Sequence, residues 1–209
     1  LFRRLTLAFV TCVPLAAAAD GDPVADRLVA SVEARYRTVD VIEASFVQTA
    51  HNPVFGDDVQ RGTVVMSRPS RMRWTFEGGE REFVTDGQMM WAYSRPDNQV
   101  VRYQNVRQQA GSVESLLTSL DSLDELFEVR SVPGTTNTLV LTPRQEAGVK
   151  SVKLVLTSDL LIDDIAITDT FDNVTELDFS NVRLNSPVAA TTFSFVAPVG
   201  TQVIDAGSM

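Results

Sequence analysis

Residues able to do covalent chemistry are few in this chain and lie far apart. It has one histidine, His51, inside the polar stretch HNPVFGDD. A nucleophilic triad needs its base held by the fold beside a hydroxyl or thiol. A histidine among loop-forming residues, with no motif around it, reads as solvated. Asp163 and Asp164 form a carboxylate pair in sequence, but neighbours on a strand point to opposite faces and cannot share one site. The one cysteine, Cys12, lies near the N-terminus, so the rest of the chain offers no thiolate zinc site, disulfide or thiol nucleophile. There is no glycine-rich phosphate cradle. The residues therefore predict no enzyme, no cofactor and no metal.

Arginine offers different chemistry. SRPSRMRW, residues 67–74, sets Arg68, Arg71 and Arg73 beside Met72 and Trp74. Residues 71–77 alternate, so Met72, Trp74 and Phe76 share one face and Arg71 and Arg73 occupy the other. Arg68 lies outside that register, and Pro69 biases it toward extended backbone. Its guanidinium carries five donors in a rigid fork. Beneath a lid, that fork would bind the unpaired carbonyls of a helix end or connecting loop and act as a latch. The alternative is a surface ion pair of little energetic weight, and the residues alone slightly favour it.

The elements around these residues follow from periodicity. Asp22-Pro23 marks a helix start, and Val24, Leu28, Val32 and Tyr36 recur at helical spacing over about residues 23–37. From Ile42 the period changes to two. Strands are expected over 42–47, 59–66, 71–77, 81–85, 88–94, 99–104, 138–142, 149–157, 161–168, 174–184 and 192–196, joined by turns such as Asp86-Gly87. Between them, Ser112 caps a helical pattern of Val113, Leu116, Leu117 and Leu120, and a second short helix carries Leu123, Leu126 and Phe127. The fold class is α+β, mostly β: an incomplete antiparallel barrel with an N-terminal helix and a helical lid inserted mid-sheet. Its concave face is predicted to carry Met72, Trp74, Phe76, Met89, Trp91 and Tyr93. Such a stripe alone is more often filled core than ligand pocket. The methionines 66, 72, 89 and 90, which repack readily, and the leucine-rich insertion point toward a pocket.

The N-terminal run reads as a secretory signal peptide over 1–19: Arg3-Arg4, an apolar run from Leu5 to Leu15, then Ala16 to Ala19. It predicts export, cleavage near Ala19 and a single domain over 20–209. Residues 1–19 hold two basic residues and no acid, which leaves 16 basic against 27 acidic residues, a net of −11. That charge disfavours nucleic acid and anionic headgroups as partners.

RPSRMRW, DGQMMWAY, PDNQV and, near the end, FSFVAPVGTQVID, with ADRLV and FVQT near the start, resemble the LolA family of periplasmic outer-membrane lipoprotein carriers. The resemblance covers residues 20–209. It implies a monomer with an apolar cavity that receives lipoproteins from an inner-membrane ABC transporter, LolCDE, and hands them to an outer-membrane receptor, LolB. It implies that Arg68 holds the lid closed. The family cavity includes an aromatic where this chain has Met72. The rival reading is a periplasmic lipoprotein-sensing regulator like RseB or MucB.

Overall fold

The computed structural model describes residues 21–52, 56–104, 116–117, 120–145 and 148–206. Residues 1–20, with the expected signal peptide, and Val113 lie outside them. Helix α1 (Pro23–Tyr36) starts where Asp22 Oδ1 accepts from the backbone N–H groups of Val24 (3.1 Å) and Ala25 (2.9 Å). Oδ2 of the same carboxylate accepts from Ser131 N (2.7 Å) and Ser131 Oγ (2.8 Å), which ties the helix to a strand far along the chain. The Ala25 and Ser131 hydrogen bonds hold the Asp22 carboxyl down at about 2. The buried stripe of α1 is Ala25, Val29, Val32 and Tyr36, while Val24 is 43% exposed. The predicted stripe steps by four each time, which drifts roughly 40° per step around the helix. Mixing steps of four and three keeps one face inward.

Twelve strands follow: β1 (Val41–Asn52), β2 (Gly56–Ser67), β3 (Arg71–Phe76), β4 (Arg81–Thr85), β5 (Met89–Ser94), β6 (Gln99–Gln104), β7 (Phe127–Ser131), β8 (Thr138–Pro143), β9 (Val149–Leu156), β10 (Ile162–Asp169), β11 (Val174–Leu184) and β12 (Gln202–Asp205). They form one open sheet in the order β12-β6-β5-β4-β3-β2-β1-β11-β10-β9-β8-β7. All pairs are antiparallel except β12 with β6. The sheet is an incomplete barrel.

Three local expectations change. HNPVFGDD is not simply a loop, because His51 and Asn52 end β1 and Gly56 to Asp58 begin β2, paired residue for residue. Phe127 does not continue the short helix Leu123–Leu126; it opens β7. Residues 192–196 form no strand; Ala190–Phe193 is a 3₁₀ turn, and β12 comes later. Phe127 is drawn into the sheet by Pro143, sixteen residues on, which local periodicity does not report. The 51–58 pairing and the turn at 190–193 are local; a polar, turn-like composition hides the first, and an alternation that forms no ladder hides the second.

The topology explains the insertion. β6 lies next to one edge of the sheet and β7 is the opposite edge. The segment that joins them brings leucines onto the inner face of the sheet. Four of its described leucines, Leu116, Leu117, Leu120 and Leu123, are at most 5% exposed and belong to the same core cluster as Val32 and Tyr36 of α1 and the inner face of the sheet, while Leu126 is exposed.

Candidate functional site

Cross-strand register decides which side chains face that core. Trp74 pairs with Val64, which pairs with Ala44, and Met72 pairs with Met66, which pairs with Ile42. These residues line the inner face. Phe46, opposite both Gly62 and Phe179, meets Trp74 edge-on at 4.7 Å between ring centroids and Phe76 at 5.1 Å. A Cβ on Gly62 would lie 2.7 Å from the Phe46 ring and 2.2 Å from the Thr75 carbonyl oxygen, so a hydrogen is required there. The indole N–H of Trp74 donates to Met72 Sδ at 2.8 Å, which satisfies a buried polar group without water.

Met72, Trp74 and Phe76 are thus inner-face residues, and Leu116, Leu117 and Leu120 cover the same core. Met89, Trp91 and Tyr93 are not with them. On β4, Phe83 pairs with Trp74 and is inward, so Val84 is outward, and Val84 pairs with Trp91. Met89, Trp91 and Tyr93 do share a face, but it is the outer one. Alternation groups residues by face without saying which face is inside; only the register from β3 through β4 supplies that. On the outer face, Trp91 stacks on Phe195 at 6.3 Å and Tyr93 lies 5.9 Å from the same ring. Val84, Val100 and Phe193 are buried there but lie outside the main cluster. They form a second, smaller core under the C-terminal chain.

Arg71 and Arg73 face outward as predicted, yet neither is a free surface charge. Arg73 donates to the Thr192 carbonyl at 2.7 Å and to Glu82 at 2.9 Å. Arg71 lies over the Phe193 ring at 5.1 Å and donates to Ser67 Oγ at 2.8 Å and to the Arg68 carbonyl at 3.3 Å. Together they strap the C-terminal segment to the back of the sheet.

Arg68 occupies the turn between β2 and β3. Its Nε donates to the Val39 carbonyl at 2.8 Å and its Nη2 to the Tyr36 carbonyl at 2.9 Å. Tyr36 is the last residue of α1 and Val39 lies in the link to β1, so the cation sits on the negative end of the helix. Nη1 donates to Asp121 Oδ2 at 2.6 Å. In the sequence Asp121 reads only as one of two possible caps of the short helix, a position that Ser122 takes in the structure. Nearby, the Tyr36 hydroxyl accepts from the Ile162 backbone N–H at 3.1 Å, and burial pushes its pKa up. Where α1 meets the short helix, Glu33 faces the Asp124 N–H at 3.4 Å, and desolvation raises its carboxyl.

The void between Tyr36, Ile42, Met66, Leu117, Ile162, Phe179 and Val182 has about 10 Å³, at most one water. A ligand that took the place of the described leucines on this face would have to displace them. Burying one leucine stabilises by about 1.5–3 kcal/mol, so lifting four into water costs on the order of 6–12 kcal/mol. Among the described residues, the Arg68 bond that reaches those leucines' segment is the one to Asp121, and a solvent-exposed pair of this kind, worth about 0.2–1 kcal/mol, is a smaller hold. The apolar term governs opening, and only a ligand that brings its own apolar surface offsets it.

Histidine and the acids sit elsewhere. His51 ends β1 on the outer face, with Nδ1 3.0 Å from Asp57 and Nε2 3.2 Å from Glu176. Asp163 and Asp164 do not form a pair; Asp164 stands opposite Asp178 across β10 and β11. Burial first, then Asp178, raises the Asp164 carboxyl.

A half-barrel whose apolar inner face is covered by a leucine-bearing crossover is a fold for burying apolar surface. The chain belongs to the LolA family: the family model "Outer membrane lipoprotein carrier protein LolA" matches residues 37–196. An outer-membrane lipoprotein carrier protein of Methylobacillus flagellatus is 26% identical over 205 residues, 95% of this chain and 96% of the relative. One from Francisella tularensis subsp. novicida is 24% identical over 148 residues, 69% of this chain and 71% of the relative. Among solved structures, a putative outer membrane lipoprotein-sorting protein domain from Vibrio parahaemolyticus matches with TM-score 0.51 and 11% identity, covering 81% of this chain and 95% of that one. An uncharacterized conserved protein from Thermus thermophilus matches with TM-score 0.51 and 15% identity, covering 86% of this chain and 98% of that one. At such identities these two show a shared fold.

Proposed function

We propose that this protein is a periplasmic carrier, not an enzyme, that hides the acyl chains of lipoproteins against its inner face. It takes them from an inner-membrane LolCDE transporter and passes them to a LolB-type receptor in the outer membrane. Residues 1–19 direct export and residues 20–209 do the carrying. The observation that carries the reading is the burial of Leu116, Leu117, Leu120 and Leu123 on Met72, Trp74 and Phe76, with Arg68 at the margin.

The energetics fit that task. A lipoprotein with about three acyl chains of roughly fifteen methylenes exposes surface costing on the order of 30 kcal/mol in water, at ~0.8 kcal/mol per methylene. Free diffusion of such cargo is negligible. The leucines keep the empty carrier closed, the Arg68 bond to Asp121 adds a smaller term, and acyl chains that replace the leucines offset the cost of opening. The direct test is detergent-free release of a triacylated lipoprotein from inner-membrane spheroplasts. The protein should solubilise it and deliver it to LolB, and no release above buffer alone would sink the reading.

A further inference from the structure

We infer that the outer edge of β7 is a pairing surface for a second copy of this chain, and that Asp22 keeps it shut. β7 ends the sheet, and among the described residues no strand pairs with its far side. The backbone bonds fix which residues face that side. The Val132 N–H donates to the Thr138 carbonyl and the Arg144 N–H to the Leu126 carbonyl, so the even-numbered positions face β8. Phe127, Val129 and Ser131 therefore turn their N–H and C=O groups outward. A row of this kind templates edge-to-edge association unless something blunts it.

The strand is complementary to itself. Laid antiparallel about a two-fold axis through Val129, two copies set Val129 opposite Val129, Phe127 opposite Ser131 and Glu128 opposite Arg130. The Val129 pair exchanges two hydrogen bonds. Beside it the charges match across the axis, and Glu128 and Arg130, which bond each other at 2.8 Å within the strand, are 56% and 64% exposed and free to re-pair. The next donor is the Ser131 N–H, aimed at the Phe127 carbonyl of the other copy. Asp22 occupies it: Oδ2 accepts from Ser131 N at 2.7 Å and from Ser131 Oγ at 2.8 Å. Oδ1 caps α1, so one carboxylate both plugs the edge and tethers to it the helix that flanks it. Between that helix and β7 runs a groove lined by Val29, Ala30 and Val129. The Phe127 N–H is taken by the Leu123 carbonyl whatever Asp22 does. Loss of the plug thus adds one Ser131 donor from each copy to the Val129 pair.

Asp22→Ser tests the plug without uncapping the helix: serine ranks with aspartate as an N-cap but has no second oxygen for Ser131. Asp22→Asn, another cap of equal rank, turns an amide donor toward Ser131 and should act alike. Sedimentation of the full protein is followed over a concentration series, with circular dichroism to verify folding. Wild type should stay monomeric. Both variants should self-associate roughly 5- to 100-fold more tightly, as two recovered hydrogen bonds imply. They should stop at a dimer, because a two-fold contact closes.

Adding Val129→Pro removes the central outward N–H at an edge position that tolerates proline, and should restore the monomer. Adding Glu128→Arg sets arginine against arginine and should do the same, while Glu128→Arg with Arg130→Glu should bring the dimer back. Folded Asp22 variants that stay monomeric, or a dimer indifferent to Val129→Pro and to the charge exchange, would overturn the inference. It stands apart from the carrier reading, since neither the inner face nor its leucines take part.

Discussion

Trp74 and Trp91 stand two strands apart on opposite faces of one sheet. The first meets Phe46 in the main core, and the second stacks on Phe195 under the C-terminal chain. Their substitutions should therefore separate. Trp74→Ala should cost about 3–5 kcal/mol of stability as a core truncation and should alter lipopeptide binding. Trp91→Ala should loosen the C-terminal strap, read as faster proteolysis near Phe195, and leave lipopeptide affinity unchanged. Equal loss of affinity in both variants would contradict the face assignment.

Arg68 and Arg71 test what each guanidinium holds. Arg68→Leu removes every side-chain bond to Tyr36, Val39 and Asp121 and should lower transfer to the receptor several-fold. Arg68→Lys, a single-point donor without the planar fork, should fall between. Arg71→Leu is not a silent control. It strips Phe193 of its cation and the Arg68 carbonyl of a donor, and should lower the melting temperature with a smaller effect on transfer. Transfer assays alongside thermal melts rank the three; an Arg71→Leu protein with the wild-type melting temperature would contradict its strap role.

Gly62 is a steric prediction. Gly62→Ala pushes a methyl against the Phe46 ring and the Thr75 carbonyl. Overpacking of this kind typically costs about 1–3 kcal/mol. Chemical denaturation should show that loss with an unchanged slope, and an Ala variant as stable as wild type would contradict the close approach.

His51 predicts a pH dependence. Hydrogen bonds to Glu176 and then Asp57 raise its pKa above 6.5. A group whose folded pKa is raised binds its proton more tightly when folded. Its stabilisation is full below about 6.5 and is lost as pH rises through the folded value. The melting temperature should fall across that window in wild type and less so in His51→Gln. Parallel curves for the two proteins would rule out His51 as the source.

The strands of the meander are readable because alternation and turn chemistry are local. Arg71 to Phe76, Asp86-Gly87 and Val174 to Leu184 all carry their own signals. The faces of Met89, Trp91 and Tyr93 are not readable, since they depend on a register relayed from β3 through β4. β12 depends on a parallel partner about a hundred residues earlier. At the site, the odd register of Arg68 and the leucine spacing are visible in sequence. The contact of Asp121 with Arg68 is not: the acid reads as one possible cap of the short helix until the fold lays it on the guanidinium.

The most direct test of the carrier account is native mass spectrometry of the full protein purified from periplasm without detergent, then mixed with excess triacylated lipoprotein on inner-membrane vesicles. The account predicts a one-to-one complex with the lipoprotein, lost in Leu117→Glu, whose side chain packs against the Tyr36, Met66 and Phe179 region. A mass that stays that of the empty protein, with lipoprotein left in the vesicles, would mean that the inner face is only a core.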